Sequence, residues 1–401
     1  MRKVQMVRPG NMRGAWLRAV LGVVLSAALM VAALGALGLI AYQRILLTPF
    51  GHAVLEADPR TIGRATEADS LEWDSAPASE ATMHDEPPAF IVEPGEGVRA
   101  IARAMADAGL VTHPWPVEIY ARLSGIAGRL QAGEYALTPD LTAAALVQRM
   151  HAGQVVTRSL TIPEGWTFAQ MLARVEAQRH LTGEYDVSPN RMWALAQIDK
   201  DWLARAEHPE LDDGAWVEGL FMPDTYRYRR GESSQALLDR GVRAMGAALA
   251  EAFAQRSDNH PAQNPWELLI LASLVEKEAA RADEREMIAG VFVNRLRSGM
   301  RLQTDPSLLY GQTVGTRLTR AELRRDHAHN TYTREGLPPT PIALPGRASL
   351  QAAARPIDTD ALFFVARGDG SHVFSATYTE HRRAVIEHQL GGDASRYGRG
   401  R

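Results

Sequence analysis

The sequence predicts an α+β protein with a single N-terminal transmembrane helix, a small α+β module and a larger α+β domain. Three observations support this prediction: a 25-residue run without charge between Arg18 and Arg44, a strand–turn–helix pattern that begins at Phe90 and recurs at Leu160, and a long apolar helical run that begins at Pro265. The chain has 401 residues, of which 46% are hydrophobic, and this is enough for two or three separate cores.

The uncharged run at residues 19–43 predicts a membrane-spanning helix, because about 20 apolar residues cross a bilayer. Residues 1–18 contain arginine and lysine but no acid, so the positive-inside rule places this basic segment in the cytoplasm and the rest of the chain outside. The alternative is a cleaved signal peptide. The run is longer than a typical signal core and no clear A-x-A site follows it, which favours an uncleaved anchor.

Composition excludes several classes of function. The net charge of −3 gives no basic footprint, so nucleic acid is not expected as a partner. The chain has no cysteine, which excludes disulfides and thiolate chemistry. His327, His329, His372 and His381 lack the spacing of metal ligands, and no G-x-S-x-G or P-loop motif occurs, so we expect neither a metal nor a cofactor.

The remaining sequence divides into four parts. Residues 44–88 are rich in Asp, Glu, Ala, Ser and Pro, which predicts a disordered acidic linker that holds the folded part away from the membrane. Residues 89–157 alternate short strands with helices and predict the small α+β module. Residues 158–390 predict the larger domain, and residues 391–401 a disordered tail.

Two helices in the larger domain have readable ends. Asn264 followed by Pro265 predicts an N-cap and first helical position for the apolar run. Asp283, with Glu286 three residues later, predicts the start of the next helix, and Gly299 predicts its end.

The apolar run ends in two glutamates, and only one of them faces the apolar side. At about 100° per residue, Glu278 follows Leu271, Leu274 and Val275 by seven, four and three positions, so it projects into their stripe. Glu276 lies well away from that stripe. A carboxyl in poorly hydrated surroundings has a raised pKa and keeps its proton near neutral pH, as a general acid for glycosidic cleavage requires.

A less specific interpretation of Glu278 is a salt bridge to Arg281 or Arg285, because glutamates are common at helix ends.

Gln303, Thr304 and Asp305 are polar residues just before a proline turn. Asp305 is predicted to cap a helix at Pro306, or the three residues line a cleft; both can hold together.

Asn330, Thr331 and Tyr332 form a segment too polar for a core strand and too aromatic for an ordinary loop. Such residues suit hydrogen bonding and stacking on sugars, and turn structure is the alternative.

Four segments together resemble the YceG-like family of endolytic murein transglycosylases. They are "SLVEKEAARADEREMIAGVFVNRLRSGMRLQTDPSLLYG", "NTYTREGLPPTPIALPG", "EGLFMPDTYRY" and "FFVARGDGSHVFSATYTEH". The resemblance covers about residues 90–390. It implies a LysM-like module at 89–157 and a lysozyme-like lytic transglycosylase domain at 158–390.

The resemblance also implies an activity and its location. The protein is expected to cut nascent peptidoglycan glycan strands within the chain, beside the inner membrane, with its N-terminus cytoplasmic and its catalytic domain periplasmic. Peptidoglycan synthases are the protein partners expected on this basis.

The family's catalytic acid lies in its V-E-K-E motif, which implies Glu278, the residue that helix geometry also selects. Asn330 and Tyr332 of the N-T-Y motif are implied as assisting catalytic residues. The implied substrate-binding residues are Gln303, Asp305, Glu218 and Thr331. Two residues depart from the family pattern: Ala279 stands where Thr is common, and Leu344 where a polar residue is common.

One carboxyl suffices for a lytic transglycosylase, because the muramic acid's own 6-hydroxyl attacks C1 and no water has to be positioned. Two alternatives remain. A hydrolytic muramidase would use Asp305 or Glu218 as a second carboxylate. A non-catalytic glycan-binding scaffold of the wall-synthesis machinery would need only the module and the anchor.

Overall fold

A computed structural model describes residues 12–51, 88–203, 207–312 and 318–397. They fall into two compact units that divide between Val156 and Thr157. Most of the predicted cytoplasmic segment, residues 52–87 of the predicted linker and the last four residues of the predicted tail lie outside the described residues.

Helix α1 runs from Met12 to Leu47. Its segment Val20–Leu47 has a mean hydropathy of 2.5 and is exposed along its most apolar stretch, so it is long and apolar enough to cross a membrane. The helix continues beyond the predicted end at residue 43, because its last turn packs into the first unit. Leu46 and Phe50 are both buried in that unit's core.

Part of the predicted linker, residues 44–51, therefore belongs to the first unit, and the described residues on either side of 52–87 bond to that unit close together. The Gly51 N–H donates to Pro139 O (2.9 Å), and the Leu137 N–H donates to Pro88 O (2.8 Å). Gly51 and Pro88 thus bond to neighbouring residues of the first unit, Pro139 and Leu137. The acidic composition averaged over 44–88 hid the apolar residues at its start.

The first unit contains short strands and helices, as the sequence predicted, with two helices in succession between its two strands. Its elements are β1 Ala89–Val92, α2 Val98–Asp107, α3 Trp115–Leu123, β2 Gly133–Ala136 and α4 Ala143–Ala152. Strands β1 and β2 pair antiparallel, with Phe90 opposite Tyr135. Gly153 ends α4 in the left-handed conformation (φ 65°), which a residue with a side chain adopts at a cost.

The second unit is mostly helical, with short two-stranded sheets. Its elements are β3 Arg158–Thr161, α5 Phe168–Glu176, β4 Leu181–Thr182, α6 Pro189–Ala196, α7 Asp213–Val217, β5 Thr225–Tyr228, β6 Glu232–Ser233, α8 Ser234–Ala254, α9 Pro265–Glu278, α10 Arg285–Arg297, α11 Asp305–Leu309, α12 Arg320–Arg324, α13 Arg347–Ala354, β7 Phe363–Ala366, β8 His372–Ser375 and α14 Tyr378–His388. The mixed α+β class predicted from the sequence is confirmed.

Helix α9 is the central helix of this unit. It packs against α8, α10 and α13, and every residue from Leu268 to Val275 is buried. Its predicted start is confirmed, since the Asn264 side chain accepts a hydrogen bond from the Glu267 N–H (3.0 Å). A helix buried on all sides holds its last turn rigidly, and Glu278 lies on that turn.

One local prediction was wrong, and two further local features became visible only in the structure. Asp283 does not cap α10, because its carboxylate pairs with Arg281 (2.8 Å) and Glu284 takes the N-cap position after a 3-10 turn. The segment after residue 360 forms a hairpin, in which β7 pairs antiparallel with β8. The tail forms a 3-10 turn at Ala394–Arg396, and the Arg382 guanidinium lies 5.2 Å from the ring centre of the following residue, Tyr397.

Candidate active site

Glu278 ends helix α9 with its side chain partly exposed. The Thr304 hydroxyl donates to Glu278 Oε1 at 2.5 Å. Burial raises the pKa of Glu278, and the nearby Asp305 carboxylate raises it further. The Thr304 hydrogen bond and the charges of His372 and Arg295 act in the opposite direction. Because burial is the largest effect, the carboxyl holds its proton at a higher pH than an exposed glutamate does.

The salt-bridge alternative for Glu278 is not what the structure shows. Arg281 pairs with Asp283, and Arg285 reaches Glu164 at 3.7 Å. Neither guanidinium therefore neutralises Glu278.

The other glutamate of the pair, Glu276, has a different role. One of its oxygens accepts from the Gly346 N–H (3.0 Å) and from the Ser349 hydroxyl (2.6 Å). This carboxylate holds the first turn of α13, whereas Glu278 points toward the segment before α11. Glu276 and Glu278, which the sequence placed on different faces of α9, thus have different partners: Glu276 bonds to α13, and Glu278 bonds to Thr304.

The segment that carries Thr304 is held by Thr331. The Gln303 N–H donates to Thr331 O, and the Thr304 N–H donates to Thr331 Oγ1, both at 3.1 Å. The Ser307 hydroxyl lies 2.9 Å from the same Thr331 oxygen. Thr331 is buried, so it positions this segment and does not present a hydroxyl to a substrate.

Gln303 and Asp305 lie on either side of Thr304 and are exposed. Gln303 has a φ of 48°, an uncommon conformation for a residue with a side chain, and it turns the chain so that Thr304 points inward. The structure places Thr304 at the N-cap of α11 without a side-chain capping bond, so the predicted cap at Asp305 was one residue off.

Asp305 instead contacts Tyr332, whose hydroxyl donates to Asp305 Oδ1. Tyr332 is partly exposed, and Arg301 donates to its carbonyl oxygen at 3.2 Å. Of the predicted site residues, the structure therefore brings Glu278, Asp305 and Tyr332 to one partly open surface, with Gln303 beside them.

Asn330 does not reach that surface, because its side chain is 1% exposed and fully used by the backbone. Its amide nitrogen donates to Arg325 O (2.8 Å), and its amide oxygen accepts from the Tyr332 N–H (2.8 Å). Asn330 thus shapes the loop that presents Tyr332, and its amide is directed at the backbone and away from the surface.

Glu218 is also buried, at 2% exposure. It accepts from the Phe168 N–H (2.8 Å), the Gly219 N–H (3.1 Å) and the Tyr310 hydroxyl (3.2 Å). Burial raises the pKa of Glu218 to about 7 despite these hydrogen bonds. The Glu218 carboxyl thus links the start of α5 to the residue after α11, and its burial keeps it away from the surface.

Arg295 is a buried cation near Glu278 that the sequence analysis missed. It donates to Leu362 O (2.6 Å) and Leu302 O (2.7 Å). Periodicity could have found it, because Arg295 follows Ile288 by seven positions and Phe292 by three, within the apolar face of α10.

His372 was considered only as a metal ligand, and it has another partner. The ring Nδ1 of His372 lies 2.7 Å from Glu284 Oε2, and the backbone N–H of His372 donates to Glu284 Oε1 (2.9 Å). Since 88 residues separate the two, no local pattern indicated this pair.

One protonatable carboxyl lies at the end of a buried helix, with a tyrosine and an aspartate beside it on a partly open surface. In such an arrangement a single carboxyl can act as a general acid on a large substrate. The chain belongs to the YceG-like family, whose family model matches residues 90–387. The resemblance found in the sequence is confirmed, and every site residue described above lies within the matched range.

Curated relatives agree with this family. An endolytic murein transglycosylase of Streptococcus pneumoniae strain D39 is 31% identical in an alignment of 319 residues that covers 73% of this chain and 57% of the relative. An endolytic murein transglycosylase of Bacillus subtilis strain 168 is 28% identical in an alignment of 303 residues that covers 72% of this chain and 81% of the relative. The chain thus spans a little over half the length of the streptococcal protein.

A crystal structure at 2.6 Å of a YceG-like protein from Listeria monocytogenes matches with a TM-score of 0.44 and 29% identity, covering 74% of this chain and 98% of that one.

Proposed function

We propose that this protein is a membrane-anchored endolytic lytic transglycosylase. It cleaves the bond from N-acetylmuramic acid to N-acetylglucosamine in nascent peptidoglycan strands and leaves a 1,6-anhydro end, which helps to terminate strand elongation. The observation that carries this proposal is the Glu278 carboxyl, desolvated but partly open, with its Oε1 bound to Thr304. The names of the curated relatives support the same activity.

The reaction needs one proton carrier. Thr304 occupies Oε1, which leaves Oε2 of Glu278 to carry the proton and give it to the bridging oxygen as the bond to C1 breaks. The resulting carboxylate then takes the proton of the muramic acid 6-hydroxyl, and that oxygen bonds to C1. Because the nucleophile is tethered to the reacting sugar, its effective concentration is high.

Tyr332 and Asp305 would act on the sugar beside the acid. Their hydrogen bond fixes the tyrosine ring, and Asp305 lies close enough to Glu278 for its charge to raise the pKa of that acid. An open surface suits a substrate that extends in both directions from the cut. Gln303 is the further candidate for contact with the strand, while Asn330 and Thr331 support it indirectly.

The proposed organisation follows from the family and from α1. Helix α1 anchors the chain in the inner membrane, and the basic residues before it favour a cytoplasmic N-terminus and a periplasmic catalytic domain. We assign a LysM-like module to residues 89–157 and a lysozyme-like catalytic domain to residues 158–390. Peptidoglycan synthases are the proposed protein partners.

Product analysis tests the activity. The full chain in detergent micelles is incubated with nascent uncrosslinked glycan, and the products are weighed by mass spectrometry. Anhydro ends are expected from the wild type and none from Glu278→Gln, while Glu251→Gln, an exposed acid on α8, serves as the matched control.

Two results would overturn the proposal. Reducing ends one water heavier would indicate a hydrolytic muramidase. A wild-type protein that binds the glycan and releases no product would indicate a scaffold.

A further inference from the structure

Helix α3 of the first unit has an apolar stripe on its outer face. Trp115, Ile119 and Leu123 follow one another at four-residue spacing and are 42%, 40% and 80% exposed. On the other side of the helix, Val117 and Ala121 are buried in the unit's core. The stripe is therefore not part of the unit's core.

This stripe continues the apolar surface of α1. The Tyr42 ring stacks on the Trp115 ring, with centroids 6.4 Å apart and planes at 25°. Tyr42 lies near the end of the apolar segment Val20–Leu47, whose outward side chains are exposed. The two helices thus present apolar residues on both sides of one aromatic contact.

The position of that contact matches the surface of a bilayer. Counted from the residue after Arg18, at about 1.5 Å per residue, a hydrocarbon core of about 30 Å ends near Leu39. Tyr42 follows within one turn. Tyrosine and tryptophan side chains favour this level, because their rings are apolar and their polar atoms reach water or headgroups.

Basic side chains lie beside the stripe. Arg122 reaches Glu118 at 3.2 Å, and Arg99 reaches the same carboxylate at 3.6 Å. Two guanidinium groups thus share one carboxylate, which leaves positive charge at the edge of the stripe. Anionic headgroups attract such charge.

We propose that the first unit lies against the outer surface of the same membrane that α1 enters, with the α3 stripe in contact with lipid. This inference rests on the proposed membrane anchor and goes beyond it, because an anchor alone does not require the module to contact the bilayer. The occupant of the stripe is a lipid surface containing anionic headgroups. A second copy of the chain or a partner protein would be a different result of the test.

The absence of cysteine makes the test direct. Single cysteines replace Met30, Ile119, Leu123 or Arg103 in the full chain, and each carries a nitroxide label. The protein is reconstituted into vesicles of phosphatidylethanolamine and phosphatidylglycerol. Collisions with oxygen, which concentrates in lipid, are compared with collisions with a water-soluble nickel chelate.

Met30 reports the anchor, and Arg103, an exposed residue on α2, is the control outside the stripe. Labels at 119 and 123 are expected to lose nickel collisions and gain oxygen collisions relative to the label at 103. Equal nickel collisions at 119, 123 and 103, with Met30 in lipid, would overturn the docking and leave the anchor intact. A water-accessible label at Met30 would overturn both. Labels at 119 and 123 that are immobilised and shielded from both reagents would indicate a protein partner and reject the lipid.

Discussion

Thr304 donates its hydroxyl hydrogen to Glu278, and this bond joins the end of α9 to the start of α11. The bond favours the charged form of the acid, so Thr304 opposes the effect of burial and lowers the pKa of Glu278.

Replacing Thr304 with Val removes this bond and nearly keeps the volume. The pKa of Glu278 should rise, because its carboxylate loses a donor. Activity requires the protonated acid, so the alkaline limb of the pH–rate profile should move to higher pH. Lost positioning should lower the maximal rate about 3- to 10-fold, the equivalent of one ordinary hydrogen bond. Thr304→Ser is the control and should keep the wild-type profile; an unmoved alkaline limb in Thr304→Val would argue against this role.

Replacing Asp305 with Asn should shift the same limb in the opposite direction. The Asp305 carboxylate raises the pKa of Glu278 by charge repulsion, so a neutral amide should lower that pKa. The alkaline limb should then move to lower pH. Tyr332→Phe, which removes the hydroxyl bonded to Asp305 but no charge, separates loss of charge from loss of the hydrogen bond.

Replacing Arg295 with Met should affect both stability and the acid. The backbone carbonyls of Leu362 and Leu302 would lose their buried donor, which should lower the free energy of unfolding by about 2–4 kcal/mol. The pKa of Glu278 should rise, because a nearby positive charge is lost. Arg295→Lys keeps the charge, so it should lose stability while its alkaline limb stays in place. Urea denaturation and pH–rate profiles measure the two effects.

Glu218 should make the stability of the second unit depend on pH. Burial raises its pKa from 4.5 to about 7, so the folded state holds this proton more tightly than the unfolded chain does. The proton on Glu218 therefore adds about 3 kcal/mol to the free energy of unfolding. This stabilisation is fully present below about pH 4.5 and is lost as the pH rises through about 7. Glu218→Gln cannot titrate. Urea denaturation should therefore show that the wild type loses more stability than this variant between pH 4.5 and pH 8, and parallel losses would contradict the assignment.

Periodicity within one helix was enough to predict that Glu278 faces the buried side of α9. Glu278 lies in the apolar stripe of α9, and the Asn264 cap fixes where that helix begins. The same reasoning applied to α10 would have found Arg295, whose position among apolar residues marks it as a buried cation.

Contacts between distant segments were not predictable in this way. Thr331 positions Thr304 through bonds between residues 27 apart, and Asn330 supports the loop from inside. In the sequence, both looked like sugar-binding residues because their side chains can form hydrogen bonds. Whether a polar side chain bonds to a ligand or to the backbone depends on the tertiary fold, which a local pattern does not contain.

The two ends of the acidic segment, at Gly51 and Pro88, meet on the same few residues of the first unit. A linker between two separate bodies limits how far apart they can move. A segment whose two ends are bonded to the same body sets no such limit. Inserting or deleting residues between 52 and 87 should therefore leave the height of this unit above the lipid unchanged. Even doubling its length adds only about 0.6 kcal/mol of closure entropy.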